Sequence, residues 1–189
     1  EEKIIRLSRG NSNVVFPSDF LFLGAMNPCN WGYYPDMQRF RCSEPTLKRY
    51  FEKLSQPMPD RIDICVEAPV LSFEDISECR KNETSDAIRE RVVNCQNIQQ
   101  IRFKDEEFKY NSKIPSGKMN YYCFLDGKEK AYMENMYDKL NLTARTYHKI
   151  LRVARTIADM DSCDTIKIRH LNEAICYRSI NEKYWGGIQ

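Results

Sequence analysis

The chain has 189 residues, of which 42% are hydrophobic and 30% charged, with a formal net charge of +2 at pH 7. Those proportions are ordinary for a soluble globular protein, and so small a charge does not by itself argue for nucleic acid. No apolar run approaches the roughly 20 residues that span a bilayer. The start, Glu1-Glu2-Lys3, lacks the basic and apolar regions of a signal peptide, and the missing initiator Met points to a fragment of a longer chain. Eight cysteines (Cys29, Cys42, Cys65, Cys79, Cys95, Cys123, Cys163, Cys176) are scattered without a C-x-x-C pair. Free thiols in a reducing cytoplasm are therefore expected.

Ile4 to Leu7 and Val14 to Phe16 are β-type segments around a Ser/Gly/Asn cluster, which predicts a β-hairpin closed by Pro17. Phe20 to Ala25 then run apolar or small without a charge, continue through Met26, and stop at Asn27-Pro28. Such a run suits a strand buried on both faces, each large side chain contributing roughly 1.5–3 kcal/mol on burial. Asn27 stands at the carboxyl end of this strand, where ligands of open α/β sheets sit; the start of a turn would suit it equally. After an aromatic-rich loop from Cys29 to Cys42, Ser43 offers an N-cap. Pro45 suits a first helical turn, and Leu47, Tyr50, Phe51 and Leu54 fall on one helical face. Ile62, Ile64 and Val66 alternate with Asp63 and Cys65, predicting a second strand ended by Pro69.

Beyond about residue 72 the pattern is helical. Ser85 is placed to cap a helix through Ile88, Val92, Val93 and Ile98 to about Ile101, and residues 104–118 read as a loop. Lys128 to Leu140 is a further helix. Thr143 caps the next, whose Tyr147, Ile150, Leu151, Ala154, Ile157 and Ala158 share a face. A last helix covers roughly His170 to Ser179. The fold class is thus α/β followed by all-α, with the change between residues 69 and 84.

For catalysis the chain is poorly equipped. A P-loop needs glycine amides around the phosphates in G-x-x-x-x-G-K-[ST]; Gly117-Lys118 matches only its end, with Ser112 and Met119 at the other required places. With two histidines, neither near a carboxylate cluster in sequence, a hydrolytic triad or histidine-rich metal site is not expected. Arg61, in Asp60-Arg61-Ile62-Asp63, suits a surface ion pair with Asp60 or Asp63 worth at most about 1 kcal/mol, or a phosphate across a subunit boundary. Arg145 lies in the first turn after the Thr143 cap, where a cation is unfavourable by about 0.3–1 kcal/mol unless an anion compensates. Glu134, another carboxylate, or a nucleotide phosphate would each serve. Arg152 and Arg155 continue along that helix as a solvated face or as phosphate contacts.

Ala25-Met26-Asn27-Pro28-Cys29, Asp60-Arg61-Ile62-Asp63, Thr143-Ala144-Arg145-Thr146-Tyr147, the Ile150-to-Asp159 stretch, His170-Leu171-Asn172-Glu173-Ala174-Ile175 and Tyr177-Arg178-Ser179 occur in one order. Together, over nearly the whole chain, they resemble the C-terminal portion of the magnesium-chelatase-like AAA+ ATPases, in particular the ComM/YifB competence-protein group. The resemblance implies that residues 1–72 are the C-terminal part of an AAA+ core and residues 73–189 its α-helical lid. It makes Asn27 similar to sensor 1, Arg61 to an arginine finger serving a neighbouring subunit, and Arg145 to sensor 2. The hairpin, with Arg9 near its tip, would be the pre-sensor hairpin. The two Walker motifs would lie upstream of Glu1, leaving the fragment inactive alone. For the complete protein the resemblance implies ATP and Mg as cofactors, a cytoplasmic homo-oligomeric ring (a hexamer), and DNA as substrate in recombination or transformation. The alternatives are the ATPase subunit of a metal chelatase and a non-enzymatic helical interaction module.

The chain departs from the group at its thiols. The group commonly shows N-P-C-x-C-G-Y and a later C-x-C, a four-thiol set suited to tetrahedral Zn²⁺. Here Cys29 and Cys42 remain, while Trp31 and Phe40 take the other places, so no zinc is expected. Cys65 stands where the group usually has His and Pro59 where it usually has Leu. The acidic run that follows N-P in the chelatase subunit proper is absent, which argues against a tetrapyrrole function.

Overall fold

The β-type segments at the start of the chain pair as the alternation predicts. In the computed structural model, which describes residues 3–10, 12–27, 29, 43–53, 61–69, 71–73, 77 and 83–181, β1 (Ile4–Arg9) and β2 (Ser12–Pro17) form an antiparallel hairpin. Ile5 faces Phe16, Leu7 faces Val14 and Arg9 faces Ser12. Gly10 turns the chain at φ +58°, a left-handed conformation that costs glycine little. Two contacts tie the base of the ribbon: the Ser18 N–H donates to the Lys3 carbonyl at 2.7 Å, and Lys3 Nζ meets Asp19 Oδ1 at 2.7 Å.

The chain divides into two units, Glu1–Tyr50 and Phe51–Gln189. In the first, the expected buried strand after the hairpin does not form. Residues 20–27 carry no strand ladder, and Leu21 and Leu23 are each 92% exposed. A lone strand leaves its N–H and C=O groups unpaired, and among the described residues the sheet consists of β1 and β2. Helix α1 (Glu44–Glu52) forms as expected. The Ser43 carbonyl accepts from the Thr46 and Leu47 amides at 2.9 and 3.1 Å, and Leu47 is buried. Leu54 lies outside the described residues.

The second unit is helical: α2 (Ser85–Arg102), short 3₁₀ turns at Asn111–Lys113 and Ser116–Lys118, α3 (Met119–Tyr122), α4 (Gly127–Lys139), α5 (Ala144–Met160) and α6 (Ile168–Asn181). The predicted strand at residues 62–66 is absent too. Its residues have no strand partner, and the Cys65 N–H donates instead to the Tyr177 carbonyl of α6 at 2.9 Å. Helix α5 is the spine, packing against α2, α6 and the first 3₁₀ turn. Ile150, Leu151, Ala154 and Ala158 are at most 1% exposed, and the two alanines, one turn apart, let neighbouring side chains approach closely. Phe103, Ile114, Met119, Met133, Ile166 and Leu171 complete the core, each contributing roughly 1.5–3 kcal/mol.

The caps explain where these helices begin and end. Thr84, rather than Ser85, caps α2 by accepting from the Ala87 N–H at 3.3 Å. The Thr143 hydroxyl accepts from the Thr146 N–H at 3.2 Å, as expected. Helices α4 and α5 both end in Schellman turns. Asn141 (φ +45°) and Ser162 (φ +53°) take the left-handed position. Behind them Leu142 N donates to Tyr137 O at 3.0 Å and Cys163 N to Ala158 O at 2.8 Å. Among the described residues no helix is long and apolar enough to cross a membrane.

Candidate functional site

The amino end of α5 presents Arg145 to solvent in its first turn. One turn later, on the same side of the helix, Lys149 turns to another part of the unit. Its Nζ donates to the Arg61 carbonyl at 2.7 Å and pairs with Asp63 Oδ1 at 2.9 Å. Helix α6 adds two holds. Arg178 Nη1 donates to the Ile62 carbonyl, and the Tyr177 carbonyl takes the Cys65 amide. The segment carrying Arg61 is thus laid on α5 and α6 by backbone contacts on three of its residues, with the Arg61 residue exposed. Partial burial pushes the Cys65 thiol pKa up, opposed by the charges of Arg178 and Lys149. Of the two carboxylates offered to Arg61 by sequence, Asp63 pairs with Lys149, and Asp60 lies outside the described residues. Glu134, considered for Arg145, lies 4.0 Å from Lys130.

Asn27 belongs to the Glu1–Tyr50 unit. It is exposed, and its carbonyl accepts from the Tyr50 hydroxyl of α1 at 2.6 Å. Cys29 is buried, while Trp31, Phe40 and Cys42, the other places of the thiol set, lie outside the described residues.

The carboxyl half of α5 corrects the expectation of a solvated basic face. Arg155 is 3% exposed and Asp159 1%. Asp159 Oδ1 accepts from Arg155 Nη2 and Nε at 2.9 and 3.1 Å and from Arg102 Nη2, while its Oδ2 accepts from Arg102 Nη1 at 2.7 Å and Asn111 Nδ2 at 2.8 Å. Arg155 also donates to the Asp164 carbonyl at 2.7 Å and to that of Cys163, bracing the turn into α6. Arg152 donates twice to the Ile114 carbonyl, at 2.7 and 3.2 Å. With five N–H donors on its two oxygens, Asp159 has nothing left to offer a metal or a substrate. It is the charged core of the unit. The signal in the sequence is the i, i+4 spacing of Arg155 and Asp159 immediately beside the buried Ala154 and Ala158.

Three potential metal ligands meet at the turn between α5 and α6: Asp161, Cys163 and His170, their ligand atoms within 4.8 Å of one another. His170 is 1% exposed and 3.2 Å from Asp161 Oδ2 through Nε2, a neighbour that reading along the sequence had not brought to it. Its Nδ1 accepts from the Lys167 N–H at 3.0 Å, and Arg169 Nε lies 3.1 Å from its Nε2. A metal-bound histidine generally donates its second N–H instead. Arg169 reaches the same cluster, 3.1 Å from Asp161 and 3.3 Å from Cys163 Sγ, and supplies the positive charge itself. The arrangement is a cap: a side chain in the first turn of α6 satisfies the amide just before it, as the acid of a capping box does.

Lys118, the residue that mimics the end of a P-loop, pairs with Glu106 at 2.7 Å, and Tyr122 donates to Glu106 at 2.6 Å. Lys118, then Tyr122, hold the Glu106 carboxyl below its ordinary pKa, and the bond to Glu106 with burial pushes the Tyr122 hydroxyl up to about 12.

Two family models cover nearly all of the chain. Residues 1–76 match "Magnesium chelatase, subunit ChlI", and residues 82–178 match "Magnesium chelatase, subunit ChlI C-terminal". Competence protein ComM of Haemophilus influenzae is 36% identical over 179 residues, covering 93% of this chain and 34% of that protein. The chain is a ComM/YifB-type member of the magnesium-chelatase-like family. The uncharacterized YifB proteins of Salmonella typhimurium and Escherichia coli are each 33% identical over 178 residues, 94% of this chain and 34% of theirs. The chain therefore spans about a third of the length of these relatives, and its two-stranded sheet followed by helices is consistent with the C-terminal region of an AAA+ protein of this family.

Proposed function

We propose that this chain is the C-terminal portion of an AAA+ ATPase that works as a homo-oligomeric ring on DNA. Residues 1–72 complete its ATPase core and residues 73–189 form the helical lid. Asn27 is sensor 1, Arg145 is sensor 2, and Arg61 is the arginine finger offered to the neighbouring subunit's nucleotide. The observation that supports the reading is the position of Arg145, exposed in the first turn at the capped, positive end of α5, where an anion such as a phosphate is favourably placed. The name of the Haemophilus relative, a competence protein, supports DNA as the substrate.

The donor set suits a triphosphate. Guanidinium and amide N–H groups donate to phosphate oxygens, whereas Mg²⁺ takes oxygen ligands that the nucleotide and the rest of the complete protein would provide. When bound, Mg-ATP supplies the phosphoryl bond that water cleaves. Asn27 orients the attacking water through its amide, Arg145 holds the phosphates as the lid closes, and Arg61 neutralises charge that grows on the transferred group.

In the complete protein, Arg61→Ala is expected to lower turnover by about 10³–10⁵ with nucleotide affinity nearly unchanged. Arg145→Ala is expected to weaken nucleotide binding. Turnover and affinity both unaltered in the two variants, measured by ATP hydrolysis and nucleotide titration with and without branched DNA, would overturn the proposal.

A further inference from the structure

The two arginines of the proposed site are far apart in sequence, yet one side chain joins the elements that carry them. Lys149 stands on α5 one turn after Arg145 and, with its side chain only 14% exposed, donates to the Arg61 carbonyl at 2.7 Å while pairing with Asp63 at 2.9 Å. An ion pair to a carboxylate as exposed as Asp63, at 67%, contributes little to stability. What the pair does is fix where the ammonium sits, and with it the backbone of Arg61. Arg178 and the Tyr177 carbonyl, both of α6, also hold this segment, at Ile62 and Cys65. Among the described residues, Lys149 joins the helix of Arg145 to the residue Arg61 itself.

We propose that Lys149 is a positioning residue that couples Arg145 to Arg61. When α5 shifts as its first turn takes up a phosphate, Lys149 carries that movement to the Arg61 backbone and sets the reach of the guanidinium. In a ring, nucleotide engagement in one subunit would then tune hydrolysis in the next. The inference rests on the roles proposed above for Arg61 and Arg145.

The test uses the complete protein with Lys149→Met, Lys149→Arg and Arg61→Ala. Lys149→Met is expected to lower kcat by up to about 100-fold with nucleotide affinity and melting temperature close to the parent values, because the contact matters only where Arg61 acts. Lys149→Arg, which still donates to both oxygens, is expected to restore most of the turnover. In the Arg61→Ala background Lys149→Met is expected to cause no further loss. Hydrogen exchange gives a readout independent of any Lys149 variant. A non-hydrolysable ATP analogue is expected to slow amide exchange at residues 62–66, and Arg145→Ala is expected to abolish that protection at saturating analogue. An unchanged kcat in Lys149→Met, a loss that multiplies with Arg61→Ala, or exchange at residues 62–66 that ignores nucleotide would each overturn the coupling. If Arg61→Ala and Arg145→Ala themselves leave turnover intact, it is the assignment of the two arginines that fails.

Discussion

At its amino end α5 shows Arg145 to solvent and sends Lys149 to a backbone carbonyl 88 residues away in sequence. At its carboxyl end Arg155 and Asp159 are buried against Arg102 and Asn111. The same helix therefore uses one kind of charge in two ways. The difference lies in what stands one turn away. Arg155 has Asp159 at i+4 and closes on it inside the core, whereas Arg145 has a second cation, Lys149, at that spacing.

The comparison can be broken most forcefully at its buried end. Asp159→Ala leaves Arg102 and Arg155 without their counter-charge and is expected to cost about 3–5 kcal/mol, read as a shift in the urea midpoint followed by far-UV circular dichroism. Arg145→Ala in the same assay is expected to stay within about 0.5 kcal/mol of the parent. A smaller change sharpens the account of how the carboxyl end is held. Ser162 occupies the left-handed position after α5 at φ +53°, so Ser162→Gly is expected to stabilise the fold by about 0.5–1 kcal/mol. The smallest effect separates exposed from buried charge. Lys118 and Tyr122 hold Glu106 below its ordinary value of 4.5. The folded-state pKa is the lower one, so the contribution of Glu106 is fully present above the unfolded value and fades as pH falls through the folded one. Between about pH 7 and pH 3, the parent is expected to lose its stability advantage over Glu106→Gln.

How much of this was readable in advance depended on whether the partner of each element lay within the pattern. The hairpin was legible because both strands and their Gly10 turn lie within a few residues of one another. Helix α5 was legible because Thr143 and the stripe from Tyr147 to Ala158 define it locally. The runs at residues 20–27 and 62–66 have the composition of strands, but composition does not say whether another strand will accept their hydrogen bonds, and none does among the described residues. For α2 the extent was readable and the inner face was not. Ile88, Val92 and Val93 are 42–45% exposed, while Cys95 and Gln99 face inward because Gln99 Oε1 takes the Asn111 N–H at 3.0 Å. The charged core at Asp159 escaped notice because periodicity treats charged residues as surface. Asn27, Arg61 and Arg145 were singled out by where they stand in chain elements, and their specific roles came from resemblance.

The proposed role of Arg61 in a neighbouring subunit is tested most directly by mixing. Complete subunits carrying Arg61→Ala are combined with subunits whose own phosphate-binding loop has been disabled, and ATP hydrolysis is followed across the mixing ratios. Each parent preparation is expected to be nearly inactive, with hydrolysis reappearing in the mixture where an intact nucleotide site meets an intact Arg61. Mixed assemblies that stay inactive at every ratio would contradict the account.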